Sequence, residues 1–404
     1  MAACTEPPRE VAPPGSRTPL ASLQPSPTPS TPPGSPERAR LTVPDDGSLL
    51  LRIRYPRPSG RCVDPPKPVV TARYPGTVLV TTTSDGSLSA TVTLPFERYL
   101  EGIAEVPPTW PRAALEAQAV AARSYALAST GWTGAQGATL DQPICATSSC
   151  QVYAGIPVPP EPAHRRWVRA VRRTAGSVLL SGGRPADTVY FSTSNGRTYG
   201  NDEVFGSAPL PYLRPVVERD DGASPTSHWR VRLPFHDLAR FLEAAGLWPG
   251  GRIARAAVQG DQVILRGGGE RRSIAVDDLR DAVNLWAPCL APHRYPPGAL
   301  PTTIPSRWLT VAATAHRLVV RGRGWGHGVG MVQWGAFGKA RRGLSADQIL
   351  AYYYGGLTPE HFPEPGLIHV QVVTGAIGIR VTPPRSGARL NGRPLDEPIA
   401  IGGR

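Results

Sequence analysis

The segment from Tyr99 to Leu127, YLEGIAEVPPTWPRAALEAQAVAARSYAL, constrains the fold more than any other part of the chain. From Pro111 onward it consists mainly of Ala, Leu, Gln, Glu and Arg, which favour helices, and no glycine follows until Gly131. Proline suits the first turn of a helix, because the N–H that it lacks would have no partner there. One apolar stripe at helical spacing consists of Leu115, Ala119, Ala122 and Ala126. Gln118 and Tyr125 flank this stripe. The pattern predicts a helix with one face packed into a core.

Glu105 lies just before this helix, on a turn that Val106, Pro107 and Pro108 stiffen. Burial would favour the neutral carboxyl, whereas N–H groups at the start of the helix would favour the carboxylate, so the sequence leaves the protonation state open. A carboxyl under such opposing influences on a rigid turn is a candidate acid/base group. The alternative is that Glu105 only caps the helix.

Three further motifs follow this segment: CATSSCQVYAG from Cys145, YFSTSNGRTYGNDEVFG from Tyr190 and GRGWGHGVGMVQWGA from Gly322. In this order the four motifs resemble those of the SpoIID/LytB family, the sporulation protein D and amidase-enhancer group of bacterial cell-wall proteins. The resemblance implies binding to peptidoglycan glycan strands and, in the sporulation branch, lytic transglycosylase activity. The alternative function is non-catalytic enhancement of an N-acetylmuramoyl-L-alanine amidase.

The resemblance assigns the acid/base role to Glu105, which matches the glutamate of the family motif. One carboxyl suffices for a lytic transglycosylase, because the attacking group is the 6-hydroxyl of the sugar itself, whereas ordinary glycosidases need a second carboxylate. Glu101 and Glu116 are the other candidates, but neither lies on the proline-stiffened turn.

Two other motifs supply the expected sugar-binding side chains. The first is rich in hydroxyl and amide groups, and the second carries aromatic, His and Gln side chains in a glycine framework that allows positive φ. The candidates are Ser192, Thr193, Ser194, Asn195, Tyr199, Trp325, His327 and Gln333. The alternatives are a polar loop that caps its own backbone and a tightly packed turn. The glycine pattern lacks the context of a dinucleotide or phosphate loop.

Five cysteines occur, at positions 4, 62, 145, 150 and 289. Cys145 and Cys150 are close enough to form a local disulfide, and some members of the family use cysteines here with a histidine as zinc ligands. Because no histidine lies between Cys62 and His164, the residues favour the disulfide, with zinc as the alternative. We expect no cofactor, and the absence of an H-E-x-x-H motif disfavours a zinc peptidase.

The formal net charge is +13, and arginine supplies almost all of the positive charge because Lys67 and Lys339 are the only lysines. Guanidinium groups bind carboxylates and phosphates, so we expect a polyanionic partner, although an arginine-rich genome would have the same effect. No zinc-finger, helix-turn-helix or RNP motif supports nucleic acid. Cell-wall polymer fits better, since muramic acid without its peptide carries a free carboxylate.

The N-terminus bears on localisation. No stretch of 18 apolar residues occurs, and an intact signal peptide is absent. Met1-Ala2-Ala3-Cys4 nevertheless resembles the end of a lipoprotein signal, which suggests a start codon assigned too late and membrane attachment through a lipidated Cys4. The alternative is a chance match. We expect an extracytoplasmic protein, either secreted or in the cell envelope.

The predicted fold is α+β, with mixed sheets and short helices forming a curved groove, a β-rich N-terminal lobe and an inserted subdomain. A turn at Asp85-Gly86 predicts a hairpin, and Ser345 with Gln348 predicts a capping box. The predicted regions are a disordered proline-rich linker (1–40), an N-terminal β region (41–94), a first catalytic half (95–215), an inserted subdomain (216–315), a second half with GHGVGMVQWGA (316–357) and an accessory β region (358–404). Glu105, the Ser192 to Asn195 loop and the His327 turn must converge within about 10 Å to form one site.

Overall fold

The computed structural model describes residues 38–55, 70–135, 140, 142–295 and 304–402. Most of the predicted linker lies outside the described residues, as do Cys4 and Cys62. Within these ranges the chain forms eight helices: α1 Phe96–Glu101, α2 Arg112–Ser129, α3 His164–Arg173, α4 Asn201–Phe205, α5 Phe235–Ala244, α6 Val276–Leu290, α7 Gln333–Arg341 and α8 Ala346–Tyr353.

The same described ranges contain twenty-two strands: β1 Arg38–Thr42, β2 Ser48–Arg54, β3 Val70–Pro75, β4 Thr77–Thr82, β5 Leu88–Pro95, β6 Ile144–Cys145, β7 Ser177–Ser181, β8 Arg184–Pro185, β9 Tyr190–Phe191, β10 Trp229–Pro234, β11 Arg255–Gln259, β12 Gln262–Gly267, β13 Glu270–Ala275, β14 Leu309–Ala313, β15 Arg317–Gly322, β16 Met331–Val332, β17 Pro359–His361, β18 Leu367–Ala376, β19 Gly378–Thr382, β20 Arg389–Leu390, β21 Arg393–Pro394 and β22 Ile399–Gly402. The mixture of helices and sheets confirms the predicted α+β class.

The largest sheet has seven strands in the order β21-β20-β1-β4-β5-β18-β6. β4 and β5 form a hairpin around Asp85-Gly86, where Gly86 has a φ of 81°, in the left-handed region that favours glycine. β18 pairs with β5, and Val370 lies opposite Val92. The C-terminal strands β18, β20 and β21 are therefore part of the same sheet as the N-terminal hairpin.

A second sheet, β22-β19-β2-β3, shares one core with the first. The core-facing side chains of β2, Leu49, Leu51 and Ile53, alternate with more exposed neighbours, as expected for a strand with one face buried. Burying each such side chain contributes about 1.5–3 kcal/mol to folding. The burial pattern of β2 thus fixes which face of this sheet packs on the core.

Helix α2 lies between two hydrophobic cores. Leu115, Ala119 and Ala122 belong to the core under the large sheets, whereas Ala117 and Val120 belong to a second core that also contains β16 and α8. Small alanine side chains let neighbouring elements approach the helix on several sides, and its neighbours are α3, α7, α8 and β7. Helix α2 is therefore the internal support of the fold.

The start of α2 differs slightly from the prediction. Pro111 caps the helix with an extended ψ of 146°, so the helical conformation begins one residue later, at Arg112. Further along α2, Arg123 is fully buried and forms ion pairs of 2.7 Å with Glu97 and with Glu364. Burial raises the pKa of Glu97 to about 7 and the Glu364 carboxylate raises it too, while Arg123 opposes both effects.

The described residues between Trp229 and Val320 pack around a core of their own, formed by the sheets β10-β15-β14 and β11-β12-β13 with α5 and α6. Strand β15 leads from this core into the glycine-rich motif, and Trp229 lies opposite Gly322 on the paired strand β10. The Trp229 indole N–H also donates to the Gly324 carbonyl at 2.9 Å. These contacts fix where the glycine-rich turn begins.

None of the described helices combines the length and the apolar composition needed to cross a lipid bilayer.

Candidate functional site

Glu105 is buried, with 6% of its surface exposed. Its Oε1 accepts the Val152 N–H at 2.7 Å, and the neighbouring Ala104 N–H donates to the Val152 carbonyl at 2.9 Å. Ile103 pairs with Tyr153 in the same short antiparallel ladder. The turn that carries Glu105 is therefore attached to the segment that follows the cysteine pair.

The other two candidate glutamates are engaged with arginines. Glu101 accepts from Arg98 at 2.7 Å and from Arg172 at 2.8 Å. Glu116 also lies between two arginines, at distances of 3.5 and 3.8 Å. Both carboxylates are thus already engaged by arginine side chains outside the proline-stiffened turn.

Gln151 connects the Glu105 segment to the next motif. Its fully buried amide accepts from the Tyr99 hydroxyl at 2.7 Å and donates to the Tyr190 hydroxyl and the Ala122 carbonyl at 3.0 Å each. Burial raises the pKa of Tyr99, and the Glu105 carboxylate is among the charges that raise it further. The sequence analysis did not name Gln151 as a site residue. Its position directly after Cys150, within one of the four motifs, was the signal that could have identified it.

The two loops that carry the predicted sugar-binding residues run side by side. Thr193 and Trp325 exchange backbone hydrogen bonds of 3.0 and 2.7 Å, the Tyr199 N–H donates to the Gly328 carbonyl, and β9 pairs with β16 in parallel. Gly324 has a φ of 77°, and a Cβ there would lie 2.6 Å from the Thr193 carbonyl oxygen. Glycine is required at this position for both conformation and space.

His327 uses both of its ring nitrogens inside the protein. Nδ1 accepts the Val329 N–H at 3.1 Å, so Nε2 carries the proton and donates to the Tyr190 carbonyl at 2.9 Å. Burial lowers the pKa of His327 to about 4, although the Tyr190 carbonyl opposes the shift. The imidazole is therefore neutral at physiological pH, and it fastens the glycine-rich turn to β9.

Most hydroxyls of the Ser192 to Asn195 loop also point inward. Ser194 donates its hydroxyl to Asp221 at 2.8 Å and its backbone N–H to the same carboxylate at 2.7 Å. Thr193 bonds to the hydroxyls of Ser224 and Thr226, at 2.6 and 3.0 Å. These contacts hold the loop in place. Because they occupy the Thr193 and Ser194 hydroxyls, ligand binding would have to use other side chains.

Several polar and aromatic groups at this junction are not fully used. The Asn195 amide donates to the Tyr199 hydroxyl at 2.7 Å, while its Oδ1 has no partner within the described part of the chain. Gln333 donates to Gln118 at 3.4 Å, and the Gln118 amide nitrogen is likewise unpaired among the described residues. The Asn195 atom belongs to a predicted binding loop, whereas the Gln118 atom belongs to α2, the helix that follows the Glu105 turn.

Two aromatic groupings flank these amides. Tyr199 stacks on Trp308 with ring centroids 5.4 Å apart. Trp334 is half-buried and packs 5.0 Å from Trp110, the tryptophan that follows the Glu105 turn. The Trp334 backbone N–H donates to the Ser192 carbonyl at 3.1 Å. Trp334 thus joins all three segments of the proposed site, and its place beside Gln333 in the motif was the signal for it.

A buried charge cluster supports the loop that holds Ser194. The Lys339 ammonium lies 3.1 Å from both oxygens of Glu218 and 2.9 Å from Asp220, and Tyr353 donates to Glu218. Partial burial raises the pKa of Asp220, but hydrogen bonds from Arg342 and Lys339 outweigh it, so the pKa lies below its usual value. In the sequence, the only sign of this cluster was Lys339, a lysine in a chain whose positive charge is almost all arginine.

Cys145 and Cys150 form a disulfide with Cα atoms 5.5 Å apart, so their sulfur atoms are not available as thiolate ligands. Cys289 is disulfide-bonded as well. Among the described residues, no group of three or more His, Cys, Asp or Glu side chains is arranged to hold a metal ion. The disulfide directly precedes Gln151 and Val152, the residues that contact the Glu105 network.

Comparison with known proteins gives three relevant similarities. A sequence model of the SpoIID family, described as stage II sporulation protein, matches residues 84–180. Stage II sporulation protein D of Bacillus subtilis is 28% identical over 279 residues, which span 65% of this chain and 74% of that protein. The amidase enhancer of Bacillus subtilis is 27% identical over 296 residues, 63% of this chain and 39% of that protein.

The chain is therefore similar to proteins of the SpoIID family, whose model it matches over residues 84–180. An uncharacterized protein of Brachyspira hyodysenteriae is also similar, with 29% identity over 65% of this chain and 66% of its own length. The matched family region contains strand β5, Glu105, α2 and the disulfide. The glycine-rich turn with His327 lies outside it.

The structure connects the three SpoIID-like segments through a path of contacts. Glu105 contacts Val152, the adjacent Gln151 contacts Tyr190, and the Tyr190 carbonyl contacts His327. The arrangement offers one buried carboxyl, unpaired amide atoms and indole surfaces. These groups suit proton transfer to a sugar, hydrogen bonds to its substituents and stacking on its ring.

Proposed function

We propose that the protein acts on bacterial peptidoglycan as a lytic transglycosylase and cleaves glycan strands without peptides to give anhydro-muramyl ends. Glu105 is the single general acid and base. The observation that carries the proposal is the setting of this carboxyl: it is buried on a braced turn and bonded to the Val152 N–H, whereas Glu101 and Glu116 lie in arginine ion pairs.

The reaction needs one proton to leave Glu105 and one to return. Glu105 protonates the glycosidic oxygen while the bond from C1 to that oxygen breaks and an oxocarbenium-like sugar forms. The Glu105 carboxylate then removes the proton of the 6-hydroxyl while O6 bonds to C1. The ring closes without consuming water, and Glu105 is protonated again.

A curved groove in this proposal runs past the Glu105 turn, the Ser192 to Asn195 loop and the turn at His327. The unpaired Asn195 oxygen is an acceptor and the unpaired Gln118 nitrogen is a donor, and both atoms are buried. In this proposal the loops shift on binding, so that an acetamido or hydroxyl group donates to Asn195 and another accepts from Gln118. Trp334 offers a half-buried indole for stacking. His327 acts in this scheme through the turn that it fastens, since both of its nitrogens are occupied.

Product analysis tests the proposal. Purified wild-type protein and Glu105→Gln are incubated with glycan strands from which an amidase has removed the peptides, and anhydro-muramyl ends are measured by chromatography and mass spectrometry. Wild type should form them, and Glu105→Gln should reduce the rate by at least about 10²-fold, because the acid is lost. Glu116→Gln is the matched control, since it makes the same change outside the proposed site and should retain the wild-type rate. Undiminished cleavage by Glu105→Gln would remove the assignment.

The second candidate function is enhancement of a cell-wall amidase without catalysis. It is favoured by the similarity to a protein named amidase enhancer, and by the many polar groups of the site that serve internal contacts. Denuded glycan strands without an amidase distinguish the two functions. A lack of new chain ends, together with faster peptide release when an N-acetylmuramoyl-L-alanine amidase is added, would establish the enhancer. Either function places the protein outside the cytoplasm, at the cell envelope.

A further inference from the structure

A cavity of about 220 Å³ lies beside the Glu105 turn. It is formed by the end of β3, helix α1, the segment after the disulfide and one face of α3. Its polar lining consists of Arg98, Glu101, Tyr153, His164 and Arg172, and its apolar walls include Pro75, Ile156 and Val168. At about 30 Å³ for each water-sized group, the cavity has room for roughly seven such groups. That size suits a substituent of a sugar or the end of a peptide.

The cavity is close to the proposed catalytic group. Gly102 lines the cavity and its carbonyl accepts the Ala154 N–H, in the same short ladder that ends with Glu105 and Val152. Three residues of extended chain span at most about 10 Å, so the backbone of Glu105 lies within that distance of Gly102. A ligand held at the Glu105 turn can therefore place a substituent in the cavity.

Two arginines meet in the cavity around one carboxylate. Glu101 binds Arg98 through Oε2 and Arg172 through Oε1, and each guanidinium uses a single N–H in these pairs. In the described part of the chain, neither arginine pairs with another carboxylate, so the remaining N–H groups of both forks are available. Among the lining residues, two positive charges and one negative charge leave an excess of one positive charge, which favours an anion, and Glu161 near His164 offsets part of it. Glu101 repels that anion but holds both forks in position.

Tyr153 and His164 add neutral polar groups to the cavity wall. Tyr153 is 3% exposed, and its hydroxyl has no hydrogen-bond partner within the described residues. Burial and the neighbouring Tyr74 raise the pKa of Tyr153, so it remains a protonated donor. Burial lowers the pKa of His164, with Glu161 and Glu101 opposing, so the imidazole is neutral at pH 7. A small shift of the Tyr153 ring would let a ligand oxygen accept its hydroxyl.

We propose that this cavity binds the carboxylate of a small ligand, with the Arg98 and Arg172 forks and the Tyr153 hydroxyl as donors and the apolar walls against its carbon skeleton. Arginine forks match carboxylate geometry in a way that a single ammonium does not. Two cell-wall groups share this chemistry: the lactyl carboxylate of peptide-free muramic acid and the terminal carboxylate of a peptide. The choice of cell-wall ligands rests on the proposed function, whereas the carboxylate site itself does not.

Calorimetric titration with defined probes tests the site. N-acetylmuramic acid and N-acetylglucosamine differ only by the lactyl acid, and D-alanyl-D-alanine represents the peptide source. We expect N-acetylmuramic acid or the dipeptide to bind at least about tenfold more tightly than N-acetylglucosamine, because a charge-assisted hydrogen bond contributes at least that factor. Tighter binding of the sugar acid identifies the lactyl source, and tighter binding of the dipeptide identifies the peptide source. Equal affinity for all three probes would overturn the site.

Matched variants separate the cavity from general charge. Arg172→Gln should weaken binding of the preferred probe about tenfold or more, and Tyr153→Phe about three- to tenfold. Arg173→Gln removes the same charge from the neighbouring position of α3, where the side chain is exposed and lies 3.8 Å from Glu116, and should leave affinity within about twofold. Equal losses in Arg172→Gln and Arg173→Gln would reject the cavity and leave only attraction by net charge.

Two further measurements keep this proposal distinct from folding and from catalysis. Thermal unfolding followed by circular dichroism shows whether Arg172→Gln folds, and Tyr153→Phe tests the same cavity with a smaller change. Glu105→Gln should abolish cleavage of glycan strands but bind N-acetylmuramic acid as wild type does. If wild type cleaves strands and no probe shows carboxylate-dependent affinity, the proposed function stands and the cavity assignment is wrong.

Discussion

Lys339→Met removes a buried ammonium from between two carboxylates while it keeps a side chain of similar length. Lys339 is 3% exposed and the Glu218 side chain is fully buried, so water cannot replace the lost partner. Breaking a buried ion pair from one side costs about 3–5 kcal/mol. With an unfolding entropy of about 2.1 cal/mol/K per residue over the roughly 340 residues that the structure describes, the melting temperature should fall by about 4–7 °C.

Urea unfolding at pH 7 and a thermal scan measure this loss, and two further variants sharpen the result. Arg341→Met removes an exposed charge from the same helix and should change the free energy of unfolding by less than about 0.5 kcal/mol. The double variant Lys339→Met with Glu218→Gln should be clearly more stable than the sum of the two single losses, because no buried carboxylate remains unpaired. A loss below about 1 kcal/mol for Lys339→Met, or strict additivity in the double variant, would refute the reasoning.

Two further predictions concern the supports of the site. The pKa of His327 is lowered to about 4 in the folded protein, so the unfolded chain binds a proton first as the pH falls. The free energy of unfolding should therefore decline between about pH 6.5 and 4, by on the order of 3 kcal/mol in total. Urea unfolding of His327→Asn across this range should lack that part of the dependence of stability on pH. An unchanged slope would contradict the assignment. Replacing Cys145 and Cys150 with serine should lower the free energy of unfolding by about 2 kcal/mol, since the disulfide closes a loop with a sequence separation of 5, and wild-type melting of this variant would contradict it.

Local features of the fold were predictable from the sequence because their causes are local. The alanine-rich composition of α2, the Asp85-Gly86 turn and the capping box at the start of α8 each depend on residues only a few positions apart. In the capping box, Ser345 accepts the Gln348 N–H at 3.2 Å, and the Gln348 side chain accepts the Ser345 N–H at 2.9 Å. Short-range hydrogen bonds and propensities decide such elements.

Long-range partners had no comparable signal. The pairing of β18 with β5 joins residues such as Val370 and Val92, and neither strand contains a residue pattern that names its partner. The roles within the site depend on the same kind of contact. The sequence analysis predicted that His327 and Ser194 bind sugar. In the structure their polar atoms instead contact the Tyr190 carbonyl and Asp221, which lie more than twenty residues away in the sequence. Gln151 and Lys339 acquire their importance in the same way.

Cleavage in isotopically labelled water tests the central claim most directly. Denuded glycan strands are digested by wild type and by Glu105→Gln in H₂¹⁸O, and the new ends are weighed by mass spectrometry. The account predicts anhydro ends without ¹⁸O from wild type, because the 6-hydroxyl and not water closes the reaction, and no such ends from the variant. Reducing ends that carry ¹⁸O, or unlabelled anhydro ends formed equally fast by Glu105→Gln, would contradict it.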